Sequence, residues 1–268
     1  MNDRPQKFRE IVRQLAQGGN TALRHANDPR RRVNPYGWNI DYLLLRRLAE
    51  WVADQSDLEA GRILDIGSGN SPYRSFFRAD EYIALDVERG LETKVIGDAH
   101  LLPIRTRSID LVVSFQVLEH LEFPEKAAAE IERVLKPGGR LVLTTHGTWP
   151  YHGHDFHRWT DEGLKLLLRN FVDISVQPLG GPLAVSTYLL GFTAREAARA
   201  SVLGSLRVPA RVAAAGFAWG LNLSTLALES LCAQTSTYRA LSRALTDVYV
   251  VKARRTDNLP ELLAKQGK

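Results

Sequence analysis

Short apolar runs alternate with segments of helical period through the middle of the chain. Between residues 62 and 178 the runs are RILDI, EYIALDV, TKVIGDA, IDLVVSF, GRLVLTT and VDISVQP. Runs of this length predict strands that are buried on both faces. The segment PEKAAAEIERVLK predicts a helix, with Pro124 in its first turn and KPGG at 136–139 as its stop. Together they predict an α/β fold with a doubly wound, mainly parallel sheet.

Other patterns flank this alternation. IDYLLLRRLAEWVA at 40–53 predicts an amphipathic helix, and DVYVVKA at 247–253 predicts a seventh and last strand. The apolar, alanine-rich stretch between the sixth and seventh strands has few strand signals and predicts helices. We therefore assign an N-terminal helical segment to 1–60, the sheet domain to 61–178 plus 246–255, a helical insertion to 179–245 and a tail to 256–268.

The amino-acid composition limits the classes of protein and the cellular locations to be expected. The chain has 268 residues, 44% of them hydrophobic, which is enough for a full core. Cys232 is the one cysteine, so an intrachain disulfide and a multi-cysteine zinc module are excluded. The charged start MNDRPQKFRE does not have the pattern of a secretory signal, and we expect a cytoplasmic location. The net charge of +5 and Arg30, Arg31 and Arg32 are interpreted as solvated surface, so a nucleic-acid partner is not expected.

A glycine-rich turn supplies the first candidate site. In ILDIGSGNSPY a strand ends at Asp65 and runs into Gly67, Ser68 and Gly69, before a helix expected to begin near Ser71 or Pro72. Such a turn lets the backbone approach a nucleotide-like ligand. The next two strands end in acids as well. Asp86 has the spacing for ribose hydroxyls, and Asp98 follows in GDAHLLP, where it could accept from an adenine amino group.

These motifs in this order resemble the class I S-adenosylmethionine-dependent methyltransferases, type 11 group. The resemblance covers about residues 61–178 and the last strand, and it includes SIDLVVSFQVLEHLEFPEKAAAEIERVLKPGGRLVLTT. It implies a Rossmann-like fold and S-adenosyl-L-methionine as cofactor. It also implies contacts to the methionine half (Asp65, Gly67, Ser68, Gly69), the ribose (Asp86), the adenine (Asp98, Ala99) and the sulfonium (Phe115, Gln116). One departure is Ser71, which stands where the family has its third glycine.

The acceptor side is predicted in HGTWPYHGHDFHRWT, residues 146–160, which follows the fifth strand at the same carboxyl edge. Transfer to an alcohol requires a proton acceptor, and the candidates are His146, His152, His154 and Asp155. Asp155 and Arg158 could equally form an ion pair that fixes the loop. His120 in QVLEH is assigned first to packing and second to catalysis. His152, His154 and His157 could be metal ligands, but their spacing does not favour it and no metal is predicted.

We interpret the chain as a methyltransferase that acts on oxygen of a small-molecule, glycan or lipid-linked acceptor. An inactive cofactor-binding regulator of the same fold is the alternative, and an RNA methyltransferase is a weaker one. The insertion, residues 180–245, is expected to cap the acceptor pocket. Its uncharged run at 212–228 is short for a spanning helix, but paired arginines leave open a peripheral contact at the inner face of a membrane. The sequence contains no pattern that indicates the oligomeric state.

Overall fold

The computed structural model describes residues 32–55, 58–90, 92–150, 154–199 and 207–257. His152, Arg30, Arg31 and the predicted tail beyond residue 257 lie outside this part of the chain. Within it, a seven-stranded sheet has the order β3-β2-β1-β4-β5-β7-β6. The strands are β1 (Ala60–Ile66), β2 (Ala79–Asp86), β3 (Val95–Ile96), β4 (Ile109–Phe115), β5 (Leu135–His146), β6 (Phe171–Pro178) and β7 (Val248–Arg255).

The pairing of the strands agrees with the predicted fold class. The pairs from β3 to β5 are parallel, whereas β7 runs antiparallel to both β5 and β6. β1 and β4 lie at the centre and are buried on both faces, because their successive side chains enter different cores: Ile63 and Val113 pack on one side, and Leu64 and Val112 on the other. The order reverses next to β1, so the carboxyl ends of β1, β2 and β4 border one crevice.

Helices cover both faces of the sheet. The helices that pack on it are α1 (Tyr42–Ala53), α2 (Pro124–Val134) and α3 (Asp161–Leu167). α1 buries Leu48 and Val52 in one core, whereas α2 and α3 supply Ile131 and Leu164 to the other. α1 and α2 are amphipathic as the sequence predicts, and Pro124 occupies the first turn of α2. The result is a sheet between two helical layers, with its carboxyl edge accessible for a site.

Two local predictions are wrong. KPGG was predicted to stop a helix, but α2 ends at Val134 and the four residues lie inside β5. The register shifts there, from Ile109 opposite Leu135 to Leu111 opposite Arg140, so the glycines form a bulge in the strand. The helix expected near Ser71 or Pro72 is only a 3-10 turn, Arg74–Phe76, because β2 begins three residues later at Ala79.

The insertion is helical, as predicted. It comprises α4 (Pro182–Arg199), α5 (Arg207–Cys232) and α6 (Ser236–Ala244). α4 and α5 pack together through the hydroxyls of Thr187 and Thr225, and Asn222 on α5 donates to the carbonyls of Gly37 and Asn39, each at 2.9 Å. Across the described residues, no helix is long and apolar enough to cross a membrane. The proposed domain boundaries stay a prediction.

Candidate functional site

The turn after β1 adopts a conformation that glycine favours. Gly67 and Gly69 have φ angles of +68° and +50°, and Ser71 has a φ of +44°. A Cβ atom on Gly67 would lie 2.3 Å from Cγ2 of Val117, whereas a Cβ atom on Gly69 would meet nothing within 4 Å. Gly67 therefore permits close packing against Val117, two residues after β4, and Gly69 faces open space where a ligand can approach the backbone.

Asp86, at the end of β2, is joined to this turn. Its Oδ2 accepts a hydrogen bond of 2.8 Å from the N–H of Gly69, and its Oδ1 accepts one of 3.0 Å from the N–H of Glu88. Each carboxylate oxygen has two lone pairs, so Asp86 keeps acceptor positions for further donors. The acid predicted to bind ribose hydroxyls thus lies directly beside the glycine turn.

Asp65 supports the same turn from the interior. It is buried, and its Oδ2 accepts hydrogen bonds from the hydroxyls of Tyr82 at 2.8 Å and Ser71 at 3.3 Å. Burial raises the pKa of Asp65 to about 7, against the lowering effect of these two hydrogen bonds. Ser71, which stands where the family has its third glycine, thus donates its hydroxyl to Asp65. The contact of Asp65 with a methionine group stays a prediction.

The third acid lies on the loop after β3. Oδ1 of Asp98 accepts a hydrogen bond of 2.9 Å from the N–H of His100 and lies 2.6 Å from its Nδ1. The backbone hydrogen bond is the main reason that the pKa of Asp98 is lowered, and the carboxylate stays exposed. The neighbouring side chain of Ala99 is buried in the core, so Ala99 can offer a ligand only its backbone.

The end of β4 forms the next wall of the crevice. Phe115 packs its ring against Tyr73 and Phe77 in the core, so it too offers a ligand its backbone. Gln116 has a φ of +60°, and its Nε2 donates to Oγ1 of Thr144 at 3.0 Å. This left-handed residue turns the chain sharply at the carboxyl edge of the sheet.

Two buried polar atoms in the glycine turn and directly after β4 have no hydrogen-bond partner among the described residues. They are Oγ of Ser68 and Oε1 of Gln116. A buried polar atom without a partner is costly, and such atoms at a crevice indicate a ligand that completes their hydrogen bonds. The turn, the acids Asp86 and Asp98 and these two atoms suit a molecule with amino acid, ribose and base portions. The residues present therefore fit S-adenosyl-L-methionine.

The comparison with protein families decides the assignment. Residues 64–143, which run from β1 into β5 and include the crevice, match the family model described as "Methyltransferase domain". This segment is a type 11 methyltransferase domain. The predicted family is therefore confirmed, and with it S-adenosyl-L-methionine as the cofactor of the domain.

Relatives share this methyltransferase domain. The chain is 33% identical over 103 residues to the malonyl-[acyl-carrier protein] O-methyltransferase of Methylococcus capsulatus, covering 32% of this chain and 38% of that protein. It is 32% identical over 123 residues to an uncharacterized methyltransferase of Mycobacterium ulcerans, covering 39% and 48%. A solved structure, the [4+2]-cyclase SpnF, is 22% identical with a TM-score of 0.49, over 80% of this chain and 82% of that chain. The chain spans less than half the length of these curated relatives.

His146 ends β5 on the acceptor side of the methyltransferase domain and is buried. Its Nε2 lies 3.5 Å from Oε1 of Glu119, and its Nδ1 lies 3.4 Å from the carbonyl oxygen of Asp247. Its ring stacks on Trp149 at a centroid distance of 4.8 Å. Oε2 of Glu119 accepts a hydrogen bond of 2.8 Å from the hydroxyl of Thr145, and burial raises the pKa of the Glu119 carboxyl. His146 is thus enclosed, and its role as a proton acceptor stays a prediction.

His120 and Asp155 form the second acceptor-side pair. Nδ1 of His120 lies 2.9 Å from Oδ1 of Asp155 and 3.3 Å from the carbonyl oxygen of His154. Both neighbours are acceptors, which favours the tautomer with the proton on Nδ1 and the lone pair on Nε2. The side chain of Asp155 is 2% exposed and that of His120 is 36% exposed, so the imidazole is the accessible member of the pair.

Arg158 fixes this pair in the loop after β5. Its Nη2 donates to Oδ2 of Asp155 at 2.6 Å, and its guanidinium also donates to the carbonyls of Trp149 and Pro150. The loop ends at Thr160, whose hydroxyl accepts from the N–H of Gly163 at 3.1 Å and caps α3. The ion pair that the sequence left as one alternative for Asp155 is therefore present.

His154 and His152 are the other histidines of this loop that were predicted as proton acceptors. His154 is exposed, and its backbone carbonyl serves His120. His152 lies outside the described residues, so its predicted role is neither supported nor opposed here. Among the residues that the structure does describe, no three His, Cys, Asp or Glu side chains are arranged to hold a metal ion.

Two residues near the end of β4 received little weight in the predictions from sequence. His120, assigned first to packing and second to catalysis, lies in a 3-10 turn, Leu118–His120, four residues before α2 begins at Pro124. Glu119 was not singled out, yet its carbonyl accepts from the N–H groups of Phe156 and His157 at 2.8 and 3.2 Å. The signal available was that Glu-His follows β4 directly, at the same edge as the glycine turn.

Proposed function

We propose that the protein transfers a methyl group from S-adenosyl-L-methionine to an oxygen atom of a small-molecule, glycan or lipid-linked acceptor. The observation that carries this proposal is the His120–Asp155 pair at the carboxyl edge of the methyltransferase sheet. The cofactor, when bound, supplies a methyl group already activated on a sulfonium. What the chain must add is alignment of the acceptor, removal of its proton and exclusion of water.

His120 is proposed as the proton acceptor. Its Nε2 holds the lone pair because Nδ1 faces Asp155 and the carbonyl of His154. When Nε2 takes the hydroxyl proton, the carboxylate of Asp155 stabilises the imidazolium, as in other carboxylate–histidine pairs. Arg158 holds Asp155 in place. Asp155, itself one of the proton acceptors predicted from sequence, thereby takes a positioning role.

Aromatic contacts support the expected role of the insertion as a cap over the acceptor pocket. The ring of Trp149, on the loop after β5, lies 3.6 Å from the ring of Tyr188 on α4, measured between centroids. Trp149 also stacks on His146, so an aromatic wall runs from the end of β5 to the insertion. Such a wall keeps water from the acceptor during transfer. The O-methyltransferase name of the Methylococcus capsulatus relative agrees with an oxygen acceptor.

A labelling experiment tests the proposal. The full chain is incubated with methyl-labelled S-adenosyl-L-methionine and, separately, with small-molecule, glycan and lipid fractions of a bacterial extract. We expect label in a product of one fraction, with the methyl on oxygen. His120→Ala should lower kcat by about 100-fold or more while leaving the Kd of the cofactor unchanged. Glu122→Gln, an exposed change two residues away, is the control and should keep full activity.

Other outcomes separate the alternatives. Cofactor binding with no labelled product in any fraction would favour the inactive cofactor-binding regulator. Label in an RNA fraction would favour the RNA methyltransferase. Full activity of His120→Ala would remove His120 as the proton acceptor and return attention to His146, His152 and His154.

A further inference from the structure

The outer face of α5 is exposed and carries no charge. From Val212 to Leu228 the helix contains no charged residue. Large apolar side chains on this face are well exposed: Phe217 by 47%, Leu223 by 48%, Leu228 by 51% and Leu231 by 79%. A helix face that meets only water normally carries polar and charged residues. This face therefore has the character of a contact surface.

The exposed positions form one stripe rather than a scatter. Ala218, Asn222 and Thr225 point inward and are buried. The exposed residues lie on the opposite side of the helix, namely Ala213, Gly216, Phe217, Trp219, Leu223, Ser224, Ala227, Leu228, Ser230 and Leu231. The nearest acid does not interrupt the stripe, because Glu229 is turned inward and pairs with Arg47 and with the hydroxyl of Tyr238.

Positive charge is concentrated at one end of this surface. The end of α4 and the start of α5, residues 195–211, contain four arginines and one glutamate. Glu196 pairs with both Arg195 and Arg199, each at 3.0 Å, which leaves a net positive charge over this segment. Basic residues beside an exposed apolar stripe complement a surface that offers both negative charge and hydrocarbon.

We propose that the outer face of α5 rests on the surface of an anionic lipid bilayer, with the arginines of 195–211 at the headgroups. The 26 residues of α5 span about 39 Å, and none of the described helices can cross a membrane, so α5 would lie in the plane of the interface. A second copy of the chain fits less well. A second copy would bring the same positive charge to the interface rather than its complement.

Vesicle flotation of the full chain tests this proposal independently of any methyl transfer. We expect association with vesicles of phosphatidylcholine and phosphatidylglycerol at low salt, and much weaker association with phosphatidylcholine alone. Leu223→Glu with Leu231→Glu should lower the partition coefficient by about tenfold or more, because the charges would have to enter the apolar boundary. Arg199→Gln with Arg207→Gln should lower it by about fivefold per arginine and reduce its salt dependence.

The control is Leu166→Glu, which makes the same kind of substitution once, at a leucine that is 64% exposed on α3. It should bind vesicles like the parent. All variants should keep the parent's circular dichroism and melting profile, because Leu166, Leu223, Leu231 and Arg199 are exposed. Failure of the parent to float with anionic vesicles overturns the proposal, as does equal flotation of the double leucine variant. A parent dimer in light scattering that this variant dissociates, without flotation, would assign the face to a second copy.

Discussion

Nδ1 of His120 lies 2.9 Å from Oδ1 of Asp155, although the two residues come from different connections of the sheet. His120 belongs to the turn after β4, and Asp155 to the loop after β5. Because β4 and β5 are parallel neighbours, their carboxyl ends bring the two connections together at the edge where the cofactor turn also lies. The candidate base is therefore placed by topology, and its tautomer is set by its partner.

Asp155→Asn should lower kcat by about 100-fold or more. An asparagine cannot stabilise an imidazolium as a carboxylate does, and its amide can donate to Nδ1 and move the lone pair away from Nε2. The Kd of the cofactor should not change, which calorimetry with the same variant checks. Because Arg158 would also lose its carboxylate partner, Arg158→Gln is measured beside it. If Arg158→Gln loses as much kcat as Asp155→Asn, the effect lies in loop order rather than in the tautomer of His120.

Glu119→Ala should lower the free energy of unfolding much more than Glu119→Gln does. The alanine variant leaves the hydroxyl of Thr145 and the ring of His146 without their buried neighbour, which should cost about 2 to 4 kcal/mol of unfolding free energy. Since burial already raises the pKa of Glu119 and favours its neutral form, glutamine should cost about 1 kcal/mol or less. Urea denaturation measures both. Equal losses would mean that a charged carboxylate is required.

Alanine substitutions of the two glycines in the cofactor turn should lower stability by different amounts. Gly67→Ala places a Cβ atom 2.3 Å from Val117 in addition to straining a φ of +68°, whereas Gly69→Ala has only the strain of a φ of +50°. We expect Gly69→Ala to lose about 1 to 2 kcal/mol of stability and Gly67→Ala to lose more. Thermal unfolding without cofactor is the measurement. Rescue of Gly67→Ala by Val117→Ala would identify the steric contact as the cause.

Asp65 should make stability depend on pH. Its pKa is about 7 in the folded chain, above its ordinary value of 3.8, because it is buried. Between these two values the unfolded chain binds fewer protons, so this group's contribution to stability falls as pH rises and is constant above about pH 8. Asp65→Asn removes that dependence. The Tm of the variant minus that of the parent should therefore increase from about pH 5 to about pH 8, and a difference independent of pH would contradict the assignment.

Much of the fold could be predicted because its signals are local. Runs such as IDLVVSF are too apolar for any place but the centre of a sheet, and β4 occupies exactly the predicted residues, Ile109–Phe115. The prediction of a helix after the glycine turn was wrong because so few residues separate Ser71 from β2. The prediction that KPGG stops a helix was wrong because glycines that can end a helix can also form a bulge in the next strand. Only the pairing of β4 with β5 decides between the two structures.

The site was predictable as a set of positions but not as a set of contacts. Asp86 could be placed beside the glycine turn, since both lie at the ends of neighbouring strands. The sequence could not show that Phe115 and Ala99 turn their side chains into the core. Nor could it rank the histidines, because the exposure of His120 and the enclosure of His146 depend on Asp155, Glu119 and other residues distant in the chain.

Calorimetric titration with S-adenosyl-L-methionine tests the central claim most directly. The parent should bind the cofactor, and Asp86→Ala should raise its Kd by roughly 10- to 100-fold, the effect of losing about 1.5 to 3 kcal/mol of charge-assisted hydrogen bonding. Asp80→Ala, an exposed acid near the opposite end of β2, is the control and should bind like the parent. If the parent does not bind the cofactor, or if Asp86→Ala binds it as tightly as the parent, the crevice beside the glycine turn is not the cofactor site described here.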